Sequence, residues 1–122
     1  METQPKNSTG TVRWLAQAGL GILLVILLGT HIIVNHWVAP QGLLSHADVI
    51  RYYKVPGIAW MEIFFLIVVT AHCLLGLHSI LFDLNLPSNI KTGLTWLLII
   101  LGVTIVLYGI RLTWTVATMQ PA

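Results

Sequence analysis

Three apolar runs decide what this chain can fold into. They extend from about Trp14 to Val38, from about Ile58 to Phe82 and from about Ile90 to Thr115. Each is longer than the roughly 20 residues a helix needs to cross a hydrocarbon core of about 30 Å. Glu62 is the one acidic or Lys/Arg side chain in the first two runs, and Lys91 and Arg111 lie toward the ends of the third. Of the 122 residues, 57% are hydrophobic and 8% charged, whereas a soluble domain carries about 25% charged residues. So few charges cannot cover a water-facing surface. Backbone groups inside a bilayer must bond within their own segment, which makes such spans helices. The expected fold is an all-α membrane protein with three transmembrane helices. Three helices bury little by themselves, so they are expected to be part of a multi-subunit helix bundle.

Residues 1–13 form a polar N-terminal tail and read as disordered; 14–115 form the three-helix anchor; 116–122 form a C-terminal tail. No cleavage motif follows a short apolar stretch, so the first run reads as a retained span. Pro40 stops it. In the polar connection that follows, Ser45 and Asp48 have the spacing of an N-cap and its third helical residue, predicting a short amphipathic helix over Ser45–Tyr53. Pro56 and Gly57 end it. The net charge of +2 comes from six basic residues with no clustering, which excludes a nucleic-acid surface and leaves membrane lipid as the surrounding partner. The positive-inside count ties: Lys6, Arg13 and Lys91 fall on one side, and Arg51, Lys54 and Arg111 on the other. Cys73 lies mid-span and reads as a small packing residue.

Chemistry has to come from the histidines. His46 sits in the polar connection and reads as solvated. The other four come in pairs: His31 and His36 on the first span, His72 and His78 on the second. A polar ring in hydrocarbon needs a partner, and the only carboxylates at membrane depth or its edge are Glu62 and Asp83. Glu62 reads as a residue of its helix's first turn, where the dipole favours a carboxylate; proton movement is the rival role. One reading of the histidines is hydrogen bonding to neighbouring helices in a haem-free structural anchor. The more economical one is haem b, whose macrocycle suits an apolar helix bundle and whose iron takes a neutral imidazole nitrogen. Gly76, one turn after His72 on the same face, offers room for a flat ring. His31 and His72 lie at different depths, which suits two stacked haems, each completed by a ligand from another subunit. Zinc fits less well, because His31 and His36 diverge around the helix and no cysteine or carboxylate completes a site.

The spacing His72, ten residues, Asp83 resembles a signature of the small hydrophobic anchor subunits of succinate dehydrogenase (succinate:quinone oxidoreductase, complex II). Gly29-Thr30-His31-Ile32-Ile33-Val34-Asn35-His36 is similar to the first span of two-haem members, and Ala47–Tyr53 to their interhelical segment. The resemblance implies a non-catalytic subunit that performs no succinate chemistry itself. It implies one or two haem b groups shared with a second hydrophobic anchor subunit, and iron–sulfur and flavoprotein subunits docked on the cytoplasmic side. His72 becomes a ligand of the haem nearer the iron–sulfur subunit and His31 a ligand nearer the outer face, with His36 its rival. His78 becomes a propionate partner, and Asp83 a group at the quinone or its proton path. The family's tyrosine after that aspartate is Leu84 here. The family's arginine of the companion anchor is also absent, Gln17 and Ala18 standing in that region, which points to the smaller anchor. The expected location is a bacterial or archaeal cell inner membrane with a cytoplasmic N-terminus. A haem b subunit of another respiratory dehydrogenase remains the alternative.

Overall fold

The computed structural model describes residues 8–120; the expectation of a disordered tail over 1–13 lies outside the described residues for 1–7 and is corrected over 8–13, which are helical. Four helices follow in order: α1 Ser8–Val38, α2 His46–Lys54, α3 Ile58–Asp83 and α4 Ser88–Thr118. α1, α3 and α4 are each long and apolar enough to cross a membrane, and no strand occurs among the described residues. α1 begins six residues before its apolar run, because the polar stretch Ser8–Arg13 continues the helix outside the hydrocarbon. At 1.5 Å per residue its 31 residues reach about 46 Å, well past a hydrocarbon core of about 30 Å.

α3 is central. It packs against α1 on one side and α4 on the other, while α2 lies across the ends of α3 and α4. Small residues let these helices approach. On α4, a Cβ at Gly102 would run into Leu74, and one at Gly109 into Leu66, so these two leucines of α3 fill notches seven positions apart. On α1, Gly21 faces His72. Hydroxyls inside the spans return to their own backbone: Thr30 donates to the Ile26 carbonyl at 2.9 Å, Ser79 to Leu75 at 3.0 Å and Thr104 to Ile100 at 2.8 Å. This local bonding satisfies them where water is absent.

α2 forms where its cap directs it. Ser45 Oγ accepts from Asp48 N at 3.2 Å, and Ser45 N donates to Asp48 Oδ2 at 2.9 Å, closing a capping box. These bonds from Ser45 hold the exposed Asp48 carboxyl below its usual range. The buried face of α2 carries Ile50 and Tyr52, each 3% exposed. Val55 N bonds back to Tyr52 O, and Gly57 (φ 89°) makes the left-handed turn into α3 that a side chain would strain. Lysines close two helix C-termini: Lys54 Nζ donates to Ala117 O on α4 and Lys91 Nζ to Phe82 O on α3, both at 3.0 Å. Cations there complement the helix dipole.

Gly102→Val should overfill the α3–α4 notch and cost about 1–3 kcal/mol. A thermal melt of the detergent-solubilised complex should show this as a lowered midpoint, and an unchanged midpoint would mean that the notch is not tightly filled.

Candidate functional site

The histidines separate into three places along the bundle. α1 and α3 run antiparallel, so rising numbers on one meet falling numbers on the other. Gly21 meets His72, Gly76 meets Gln17, and His31 meets Glu62. His31 therefore lies ten positions along α1 from the level of His72, about 15 Å away.

At mid-membrane, His72 projects into the α1–α3 seam. A Cβ at Gly21 would come 3.2 Å from His72 Cε1, so the absence of a side chain there admits the imidazole. His72 Nδ1 is buried with no hydrogen-bond partner, and so is Gln17 Oε1, about one turn away in the same seam. Buried polar atoms are nearly always partnered. Two without a partner at one level of the seam, with His31 Nδ1 and Asn35 Oδ1 further along it, mark a place that needs a group from outside the chain. The room expected at Gly76 is taken by Gln17, whose Nε2 would lie 3.0 Å from a Cβ there.

At the end nearer α2, Glu62 gathers three helices. Its Oε1 lies 3.1 Å from His31 Nδ1 and accepts a hydrogen bond from Tyr52 Oη at 2.9 Å. His31 Nε2 lies 2.8 Å from Asn35 Nδ2. The His31 ring stacks on Phe65 with centroids 5.3 Å apart and planes 26° from parallel. The side chains of His31 and Glu62 are 28% and 14% exposed. Glu62 is the fifth residue of α3, beyond the first turn. Its reading as a dipole-favoured interfacial residue is corrected: it accepts a hydrogen bond from Tyr52 of α2 and stands beside His31 of α1, whose buried Nδ1 makes no hydrogen bond. Burial, followed by the bond to Glu62, pushes the Tyr52 hydroxyl well above its usual pKa of 10.0. The sequence carried one sign of this cluster, since His31 and Glu62 lie at similar depth at facing ends of consecutive antiparallel spans. His36 is exposed near the end of α1, and His46 is exposed at the start of α2.

At the opposite end, His78 stacks on Phe82 at 3.9 Å between centroids, and its Nε2 lies 3.4 Å from Thr95 Oγ1. A cleft of about 380 Å³ opens beside it, lined by Arg13, Phe82, Lys91, Thr95 and Trp96 among others. Arg13 and Lys91 as members of this cleft were not legible in the sequence, because each comes from a different helix end. Asp83 closes α3, exposed, and Leu84 beyond it is extended and half-exposed. Among the described residues, no cluster of three His, Cys, Asp or Glu side chains could hold a bare metal ion.

The residues present fit a haem at His72, where an imidazole lacks an internal partner. They also fit one at His31, provided Asn35 yields Nε2. An all-helical, three-span subunit with histidines on its inner seams and wide uncovered apolar faces is a membrane anchor built to be completed by other chains. The chain belongs to the family described as succinate dehydrogenase/fumarate reductase transmembrane subunit, whose model matches residues 3–110. It is similar to the succinate dehydrogenase hydrophobic membrane anchor subunit of Thermoplasma acidophilum, with 30% identity over 98% of this chain and 97% of the relative. The corresponding subunit of Archaeoglobus fulgidus shares 26% identity over 91% of this chain and 94% of its own length. No solved structure gives a significant match.

Tyr52 should ionise late, well above the ordinary tyrosine range. Its folded pKa is raised, so its contribution to stability is complete below pH 10 and is lost as pH rises beyond that value toward the folded pKa. Ultraviolet titration of the complex should show a late tyrosinate phase that loses amplitude in Tyr52→Phe; a late phase unaffected by that substitution would contradict the burial of this hydroxyl.

Proposed function

We propose that this succinate dehydrogenase membrane anchor subunit holds haem b jointly with a second hydrophobic anchor subunit. In this reading it also lines a quinone site and carries electrons from the iron–sulfur subunit toward quinone. The observation that carries the reading is the buried, unpartnered Nδ1 of His72 in the middle of α3. An imidazole kept in hydrocarbon without an internal partner is retained for something outside the chain. His31, about 15 Å away along the seam, is the second ligand-bearing position. Bound haem would supply one-electron carriage within the bilayer. The protein supplies the rest. His72 and His31 each offer a ring nitrogen, Gly21 makes room for the His72 ring, and apolar helix faces keep water out. α1 touches α3 and little else, leaving Trp14, Ile22, Val25 and Trp37 exposed for a partner anchor or lipid.

The quinone half of the reading belongs to the end of α3. Asp83 is the acidic group there. Leu84 cannot donate the hydrogen bond that the family's tyrosine gives, and the neighbouring cleft offers donors instead in Arg13 and Lys91. His78, held against Phe82 and Thr95, stands between this cleft and His72. In this reading the turn after α3 and the N-terminus face the cytoplasm, with the iron–sulfur and flavoprotein subunits docked there, in the cell membrane of an archaeon or bacterium.

His72→Ala in the purified complex should remove one b-type haem and leave the other, read from the dithionite-reduced α-band and from haem content per complex. Unchanged haem content would overturn the assignment, as would a wild-type complex with no b-type band. Copurification of iron–sulfur and flavoprotein subunits separates this reading from a haem subunit of another dehydrogenase.

A further inference from the structure

The cluster around Glu62 has an order that haem binding at His31 alone does not require. Nδ1 of His31 faces a carboxylate, and Nε2 faces the amide nitrogen of Asn35. The tautomer protonated on Nδ1 lets Nε2 accept from Asn35 and puts its proton on the nitrogen 3.1 Å from Glu62 Oε1, an electrostatic contact outside hydrogen-bond geometry. That tautomer is also the one a metal ligand uses. Metal-binding imidazoles almost always give their second N–H to a carboxylate or carbonyl, which fixes the ring and raises the basicity of the ligating nitrogen. Phe65 holds the ring plane. Asn35 sits one turn from His31 on the same helix, so its side chain can rotate away without moving the backbone.

We propose that Glu62 is the positioning residue of His31: a carboxylate 3.1 Å from Nδ1 favours the proton on that nitrogen, so that Nε2 is the ligating atom toward haem. This rests on His31 being a haem ligand, as read above. Tyr52 is the counterweight. Its hydroxyl donates to Oε1, the same oxygen that faces His31 Nδ1. A hydrogen bond to that oxygen draws charge away from the imidazole. Glu62 therefore strengthens His31 as a donor, favouring ferric iron, and Tyr52 limits the effect. Because Tyr52 is carried by α2 and fixed by the Ser45–Asp48 cap, the connection between spans reaches the iron site through a single carboxylate.

The two residues should act with opposite signs, which a merely structural role would not produce. The test is potentiometric titration of the b-type α-bands in the purified complex. Glu62→Gln should keep its haem and raise the midpoint potential of the outer one. A change of about tenfold in its oxidised-to-reduced ratio corresponds to about 59 mV for one electron. Tyr52→Phe should lower the same midpoint by a smaller amount. Should Glu62→Gln fail to assemble, the downward shift in Tyr52→Phe still decides the question. Haem retained at wild-type potential in both variants, or shifts of the same sign, overturn the proposal. His31→Ala separates the layers. Loss of one haem there, with unmoved potentials in the other two variants, refutes the role of Glu62 alone. Full haem content in His31→Ala refutes the ligand assignment and the proposal together.

Discussion

Glu62 places a carboxylate inside an apolar bundle, and the surrounding structure supplies its acceptor oxygen with partners. An ionised group in low dielectric is costly unless it is paired and hydrogen-bonded. Here the hydrogen bond comes from Tyr52 of α2, and His31 of α1 stands 3.1 Å away. This explains why α2 exists as an ordered helix. A nine-residue helix is too short to be stable alone. It is held by a capping box at one end, by Ile50 and Tyr52 on its buried face, and by Lys54 reaching the end of α4. The carboxylate thus ties the connection between spans to the membrane-buried seam.

The spans and the α2 cap were legible in the sequence because both are local. Apolar runs record the thickness of hydrocarbon, and Ser45 with Asp48 records a three-residue spacing. Helix ends were less legible, since Ser8–Arg13 and Val116–Thr118 continue their helices into the polar region where hydropathy gives no signal. His72 stood out because a ring in hydrocarbon needs a partner, and the fold leaves its Nδ1 without one. The role of Glu62 was hidden, since it depends on which residues of α1 and α2 meet α3. Gly76 shows the same limit: its face is open by sequence, but the antiparallel register brings Gln17 onto it.

The tied count of basic residues has a structural explanation. Lys54 and Lys91 are used as caps on helix carbonyls, one at each end of the bundle. Each also fixes a connection. Lys91 holds the Asp83 turn by gripping Phe82 from below, with its ammonium 5.4 Å from the ring centroid. The turn is therefore ordered by bonds that do not involve Asp83, leaving that carboxylate exposed.

The one-sided packing of α1 bears on how the subunit is made. α3 and α4 dock through leucines seated at glycines, an arrangement complete as soon as both helices are in the bilayer. α1 packs chiefly against α3, along a seam where Gln17, His31, Asn35 and His72 all hold buried polar atoms without partners. Its remaining neighbours must arrive with another chain. A copy synthesised in excess of its partners is thus weakest at α1, the first element to detach and the one a quality-control protease would meet. Balanced production of the subunits then matters to this chain's lifetime as well as to its assembly.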